Sequence, residues 1–207
     1  VYSAVIVPLS LKAPSTNIKL QLRRPLQPLE NALMSSLSWV DRLLLWICGG
    51  WFFLTVCVGY VATANFSQLQ PERLREAETV LGHRGDANAK ARTLRYVASE
   101  LNRHFFSVYG WANLTLAAVA LVLVGTSGRK TRWRTLALIT CFGIAAIGAL
   151  YLTPTLVDLG RQIDFVPREP VSEPVRQFYV FHRLNEGLEL LKLILLTGVT
   201  VSLIRSP

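Results

Sequence analysis

The chain has 207 residues, 51% of them hydrophobic, a mean hydropathy of +0.36 and a formal net charge of +9 from 22 basic and 13 acidic residues. The apolar residues are clumped into long uncharged runs rather than dispersed at helix or strand periods, which argues against a soluble domain and for the membrane. The basic excess then reads as cytoplasmic loops meeting anionic lipid, and nucleic-acid binding is set aside because no basic stretch is interleaved with aromatics.

Residues 1–33 differ from the rest. Their opening apolar stretch is too short to span, Pro8, Pro14, Pro25 and Pro28 punctuate them, and the charged start of a signal peptide is missing. Met34 is the only methionine, and the sequence around it reads as a translation start. Residues 1–33 are therefore expected to be an upstream extension or a loosely ordered arm, and residues 34–207 the membrane domain.

Four spans follow, at about 43–63, 105–125, 135–155 and 185–204. Each has about 20 residues, enough at ~1.5 Å per residue for a ~30 Å hydrocarbon core. The expected fold is all-α, an integral membrane four-helix bundle. Arg129, Lys130, Arg132 and Arg134 lie between the second and third spans with no acid among them. By the positive-inside rule residues 126–134 are cytoplasmic, and an even number of spans places both termini there too. The setting is a bacterial plasma membrane or an internal membrane. Trp39, Trp46, Trp111 and Trp133 lie near the predicted span ends, as an aromatic belt would have them.

The outer loops carry structure of their own. Pro71, Glu72, Glu76 and Glu78 mark a helix start, Gly85 and Asp86 break it, and a second helix over 87–103 runs into the second span. Pro167, Pro170 and Pro174 interrupt the other outer loop before Val175 begins the last helix.

Residues 106–116 and 178–188 share the pattern F-x-V-x-x-x-x-N-x-x-L, and both lead into the membrane from the same side. Leu121 and Leu123 match Leu193 and Leu195 at the same offset. The pattern implies two helical hairpins in parallel repeat, with Asn113 and Asn185 as the equivalent polar residues. The run F-x-x-x-H-R-L-N over 178–185, followed by an apolar helix with Glu and Lys, resembles the last span of a small bacterial membrane family. So does the stretch Y-L-T-P-T-L-V-D-L over 151–159 at the end of the third span. That family is a domain of unknown function related to eukaryotic transmembrane protein 205. The resemblance covers about residues 105–205 and implies a compact four-helix membrane protein with no assigned reaction.

The main candidate site is the polar stripe His182, Asn185, Glu186, Glu189 and Lys192, which helical spacing puts on one face. Ionisable groups in a span are costly and tend to face a bundle interior. At these spacings Glu189 can neutralise Lys192, and His182 can pair with Glu186. The blander account keeps Asn185 and Glu186 at headgroup level and lets Lys192 snorkel back to the surface. Asn113 and Asn185 are read as hydrogen-bonding glue between helices. Pro154 is expected to kink or end the third helix, with the Thr153 and Thr155 hydroxyls serving the carbonyls it frees.

Cys48, Cys57 and Cys141 fall in apolar runs and make no metal-ligand spacing, and no catalytic motif is present. No cofactor is expected, although His104 and His182 begin the second and fourth helices on one side, which leaves a haem site open. Three readings result. The first is an accessory subunit packed in a larger membrane complex, for which Gly49, Gly50, Gly59 and Gly143 would suit close helix contact. The second is a transporter or small-ligand protein using the stripe. The third is a haem or redox protein at the outer face.

Overall fold

The computed structural model describes residues 37–70, 87–128, 131–166 and 170–205. The chain divides into two units, Val1–Leu37 and Ser38–Pro207. Of the first only Leu37 is described, so the expected N-terminal arm lies outside the described residues, as does the helix expected from Pro71.

Helix α1 spans Trp39–Gln68 and α2 spans Ala87–Thr126. The third rod is α3, Arg132–Ile147, then a π-helical turn over Gly148–Leu152, then α4, Thr153–Gln162. The last is α5, Glu173–Arg205. The four rods are each long and apolar enough to cross a bilayer. They exceed the apolar runs because a helix need not stop where its hydrocarbon-facing residues stop. The expected helix over 87–103 and the second span are thus one helix. The rods alternate in direction: α1 packs on α2 and α5, and the α3–α4 rod packs on the same two. Helices α2 and α5, which carry the two similar motifs, run the same way and face each other across the diagonal.

The outside of the bundle is apolar. Trp39, Trp46, Trp111 and Trp133 are all exposed, together with Phe53, Tyr60, Val122, Leu136 and Ile194. A water-soluble protein does not leave so much apolar surface uncovered; lipid tails are the natural neighbour.

The dry core fills only one half of the bundle, the half towards Ser38. Leu44, Cys48 and Trp51 of α1 meet Ala117, Ala120 and Val124 of α2, Leu138, Cys141 and Ala145 of α3, and Leu196, Val199 and Leu203 of α5. Small residues at the facing positions let the helices close with no gap between them. Among the glycines, close approach is needed elsewhere: a Cβ on Gly110 would lie 3.4 Å from the Ala149 backbone at the π-turn. At Gly49, Gly50, Gly59 and Gly143 an added Cβ meets nothing within 4 Å, so these four do not mediate contacts inside this bundle.

Polar knots tie both ends. At the Ser38 end the Ser38 hydroxyl donates to Asp41 Oδ2 (2.7 Å) and accepts from the Asp41 backbone N–H (3.1 Å), capping α1. Asp41 is fully buried and also accepts from the Ser127 hydroxyl just past α2 (2.6 Å). Arg134 of α3, read from sequence as one of the loop charges, is instead buried. It donates to the Ser202 hydroxyl (2.9 Å) and carbonyl (2.6 Å) of α5. Removing a buried acceptor strands its donors, so Asp41→Ala is expected to cost about 1–3 kcal/mol. A lowered thermal unfolding midpoint in detergent would register the loss. An unchanged midpoint would show that the α1–α2 knot contributes nothing to stability.

The third rod does not end at Pro154. Proline lacks the N–H that an α-helix needs, and it sits in the first turn of α4, just after the π-turn, where the loss is tolerated. The Thr153 N–H reaches back to the Gly148 carbonyl, and the Thr155 hydroxyl donates to the Tyr151 carbonyl (2.8 Å). The helix then continues to Gln162.

Candidate functional site

Three helices each bring a pair of residues one turn apart, the spacing that puts two side chains on one face. Helix α5 contributes Glu189 and Lys192, α2 contributes Tyr109 and Asn113, and α1 contributes Trp51 and Thr55. Trp51, Asn113 and Lys192 each lie about 12–13 residues, roughly 20 Å, from the Ser38 end of their helices, so they meet at one level.

Lys192 is 0% exposed. Its ammonium donates to Glu189 Oε2 (2.5 Å), to the Tyr109 hydroxyl (2.8 Å) and to Asn113 Oδ1 (3.0 Å), which uses all three of its protons. It also stands over the rings of Trp51 and Tyr109, 5.5 and 5.2 Å from their centroids, where the negative ring faces favour a cation. The Tyr109 hydroxyl donates to Glu189 Oε2 (2.7 Å) and touches Thr55 Oγ1 (2.9 Å). The Thr55 hydroxyl donates back to the Trp51 carbonyl (3.0 Å), and Trp51 Nε1 donates to Asn113 Oδ1. A buried charge survives only when paired and hydrogen-bonded in this way.

This network is the boundary between two kinds of interior. Towards Ser38 lies the dry core. On the other side lies a cavity of about 420 Å³, whose wall includes Thr55, Tyr109, Asn113 and Glu189. A second cavity of about 700 Å³ lies further towards the Gln68 end and has apolar walls from Phe106, Leu156, Val157 and Phe178. Phe66, Asn102, Phe106, Thr153, His182 and Asn185 border both, so the two adjoin.

Its rim is stapled by polar bonds. Arg103 of α2 bridges Asp164 (2.5 Å), just beyond α4, and Glu100 (2.5 Å). Asn102 donates to the Ala62 carbonyl (3.0 Å) and accepts from Asn65 (2.7 Å), joining α2 to α1. Tyr96 stacks on Phe165 at 5.4 Å.

The residues singled out by sequence are thus divided between the floor and the walls of the inner cavity, with Glu186 among the wall residues. Glu189, Lys192 and Asn113 are brought together at the cavity floor. Asn185 and His182 line the walls, with His182 stacked on Phe178 at 5.6 Å and 3.2 Å from the half-exposed Glu186. Snorkelling of Lys192 is overturned: the ammonium turns into the bundle because Tyr109 and Asn113 stand ready across the diagonal. Asn113 bonds across helices, whereas Asn185 makes no hydrogen bond to another described residue, so the two similar positions are not used alike. His104 is exposed and borders neither cavity. Among the described residues no group of three or more His, Cys, Asp or Glu side chains is placed to hold a metal ion. Trp51, Thr55 and Tyr109 were not marked by the sequence reading. The one signal for them is the i, i+4 pairing of polar-tipped residues inside apolar runs.

The architecture defines a multi-pass, all-α membrane protein built on four spans. Within it, residues 90–164 match the family described as a domain of unknown function (DUF4149). The matched stretch takes in most of α2 and the whole α3–α4 rod, hence Tyr109, Asn113 and the Arg103–Asp164 bridge; it leaves out α1 and α5, with Trp51, Glu189 and Lys192. No curated protein and no solved structure matches the chain.

Lys192→Met strands the Glu189 carboxylate and is expected to cost about 3–5 kcal/mol. The double variant Lys192→Met/Glu189→Gln removes both charges and is expected to lose less than the single one. Denaturant unfolding of the four members of this cycle measures the difference; additive losses would mean that the two side chains are not coupled.

Proposed function

We propose that this is a small-ligand-binding membrane protein, with its site in the half-hollow bundle above the Lys192–Glu189 network. One observation carries the reading: the interior is tightly packed up to the network and open beyond it, with Glu189, Asn185 and His182 among the polar side chains on its walls. A structural helix bundle has no need of such a void, since filling it would gain dispersion energy. Pockets of 300–1,000 Å³ or so, mostly apolar with a few convergent polar groups, are where small ligands bind.

The basic loop at 126–134 supports an orientation with the Ser38 end cytoplasmic, which turns the cavity towards the outer side of the membrane. The accessory-subunit reading drew on Gly49, Gly50, Gly59 and Gly143, and these are free of contacts within the bundle. That leaves them open to a partner helix, and the accessory-subunit reading stands as the alternative that the experiment below separates. Kinship with transmembrane protein 205 rests on the motifs at 151–159 and 178–185, of which only the first falls inside the matched stretch.

Gly59 borders the inner cavity, and a Cβ there meets nothing within 4 Å, so Gly59→Leu adds bulk where there is room. Native mass spectrometry of the protein taken from lipid nanodiscs is expected to find a stoichiometric small molecule on the natural chain and none on Gly59→Leu. Arrival of the natural chain with stoichiometric protein partners and no small molecule would replace this reading with that of an accessory subunit.

A further inference from the structure

Resting on that reading of the cavity, the geometry points to the class of ligand: we infer a neutral amphiphile whose hydroxyl head donates a hydrogen bond to Glu189 Oε1. The inference starts from which atoms of the network are still free. Both hydrogen bonds that Glu189 receives, from Tyr109 and from Lys192, fall on Oε2. Oε1 has no partner among the described residues, and the side chain is 20% exposed and borders the inner cavity. Two carboxylates border the inner cavity: Glu186 already faces His182 (3.2 Å) and Arg183 (3.4 Å), whereas Glu189 Oε1 awaits a donor.

The charge of the head follows from the pair. Glu189 and Lys192 sum to zero net charge whether written as carboxylate and ammonium or as acid and amine. An anionic head finds no free cation at the floor, because all three Lys192 protons are committed and the ammonium is sealed from the cavity. A cationic head could donate to Oε1, but it would give up its hydration beside a carboxylate already neutralised by Lys192, and Glu186, which borders the same cavity, is paired with Arg183 and faces His182. A hydroxyl donates without carrying charge into the bundle. The Asn185 amide, which borders both cavities and takes no bond from another described residue, offers a second donor and acceptor to the same head.

The body of the ligand follows from the walls. Beyond the head the adjoining cavity presents Phe106, Leu156, Val157 and Phe178, which suit a chain or ring with no polar atoms. The polar rim at Arg103, Asp164 and Asn102 is already bonded within the protein.

Four probes with ten-carbon chains separate the terms: 1-decanol (neutral donor), 2-decanone (acceptor only), decylamine (cation) and decanoate (anion). Binding of each, radiolabelled, is measured to the full chain in phosphatidylcholine nanodiscs, with empty discs subtracted. The natural chain is expected to bind 1-decanol saturably and about tenfold more tightly than the other three, the worth of one charge-assisted hydrogen bond. Glu189→Gln keeps the side chain's shape. Tyr109 and Lys192 are both donors, so they hold the Gln carbonyl and turn its NH2 to the cavity. The variant should then lose the preference for 1-decanol and favour 2-decanone. Equal or tighter binding of decylamine or decanoate by the natural chain overturns the ligand class and leaves the cavity standing. An unchanged 1-decanol preference in Glu189→Gln overturns the contact with Oε1. Absence of saturable binding for all four, or equal binding to Gly59→Leu, overturns the cavity reading itself.

Discussion

A lysine about three-fifths of the way along a spanning helix, with no exposed surface, sets the terms for everything around it. Water cannot reach it through the packed half of the bundle, and hydrocarbon offers no partner, so its protons have to be met by side chains from other helices. That requirement fixes the register of three helices at once. Helix α5 must turn Lys192 towards α2, α2 must present Tyr109 and Asn113 on a single face, and α1 must bring Trp51 beneath them. Apolar packing between membrane helices is nearly indifferent to sliding, since lipid tails compete equally for the same surfaces. The network supplies the discrimination that packing lacks.

Such an arrangement has a cost that only the surrounding packing can offset. Cys48, Ala120, Cys141 and Leu196 hold the helices together on one side of the network, and the knots at Asp41 and Arg134 close that end. The opposite half relies on the Arg103–Asp164 bridge and the Asn65–Asn102–Ala62 chain at its rim. Between these supports the bundle stays hollow, and the network forms the floor. Packing is thus concentrated at one end and open space at the other, a division that lets the walls of the hollow half shift without loosening the packed half.

The sequence made the four spans legible, because bilayer thickness alone dictates about 20 apolar residues per crossing. Their extension beyond the hydrocarbon was legible only where polar helix signals continued, as at 87–103. Glu189 and Lys192 stood out for a similar reason: a charge inside an apolar run contradicts its surroundings. Their partners could not be found the same way. Trp, Tyr and Thr carry no charge and so do not contradict an apolar run as Glu and Lys do, and the rotation of one helix against another leaves no period in either sequence. Arg134 shows the same limit from the other direction. Beside Arg132 it reads as a loop charge, and only the arrival of Ser202 from a distant helix makes it a buried cross-link.

The π-helical turn at Gly148–Leu152 has a consequence for how such a chain can change over evolutionary time. A π-turn holds one residue more than the α-turn it interrupts, and one residue is about 100° of rotation for everything that follows. The faces of α3 that meet the dry core and the faces of α4 that border the cavity are therefore phased independently. Loss of one residue in this turn would swing Thr153, Val157, Gly160 and Asp164 together away from α2, and the bridge to Arg103 would go with them. The outline of the cavity is governed here by a residue count as well as by residue identity. Related chains could redraw that wall by a single insertion or deletion, leaving every side chain of the network unchanged.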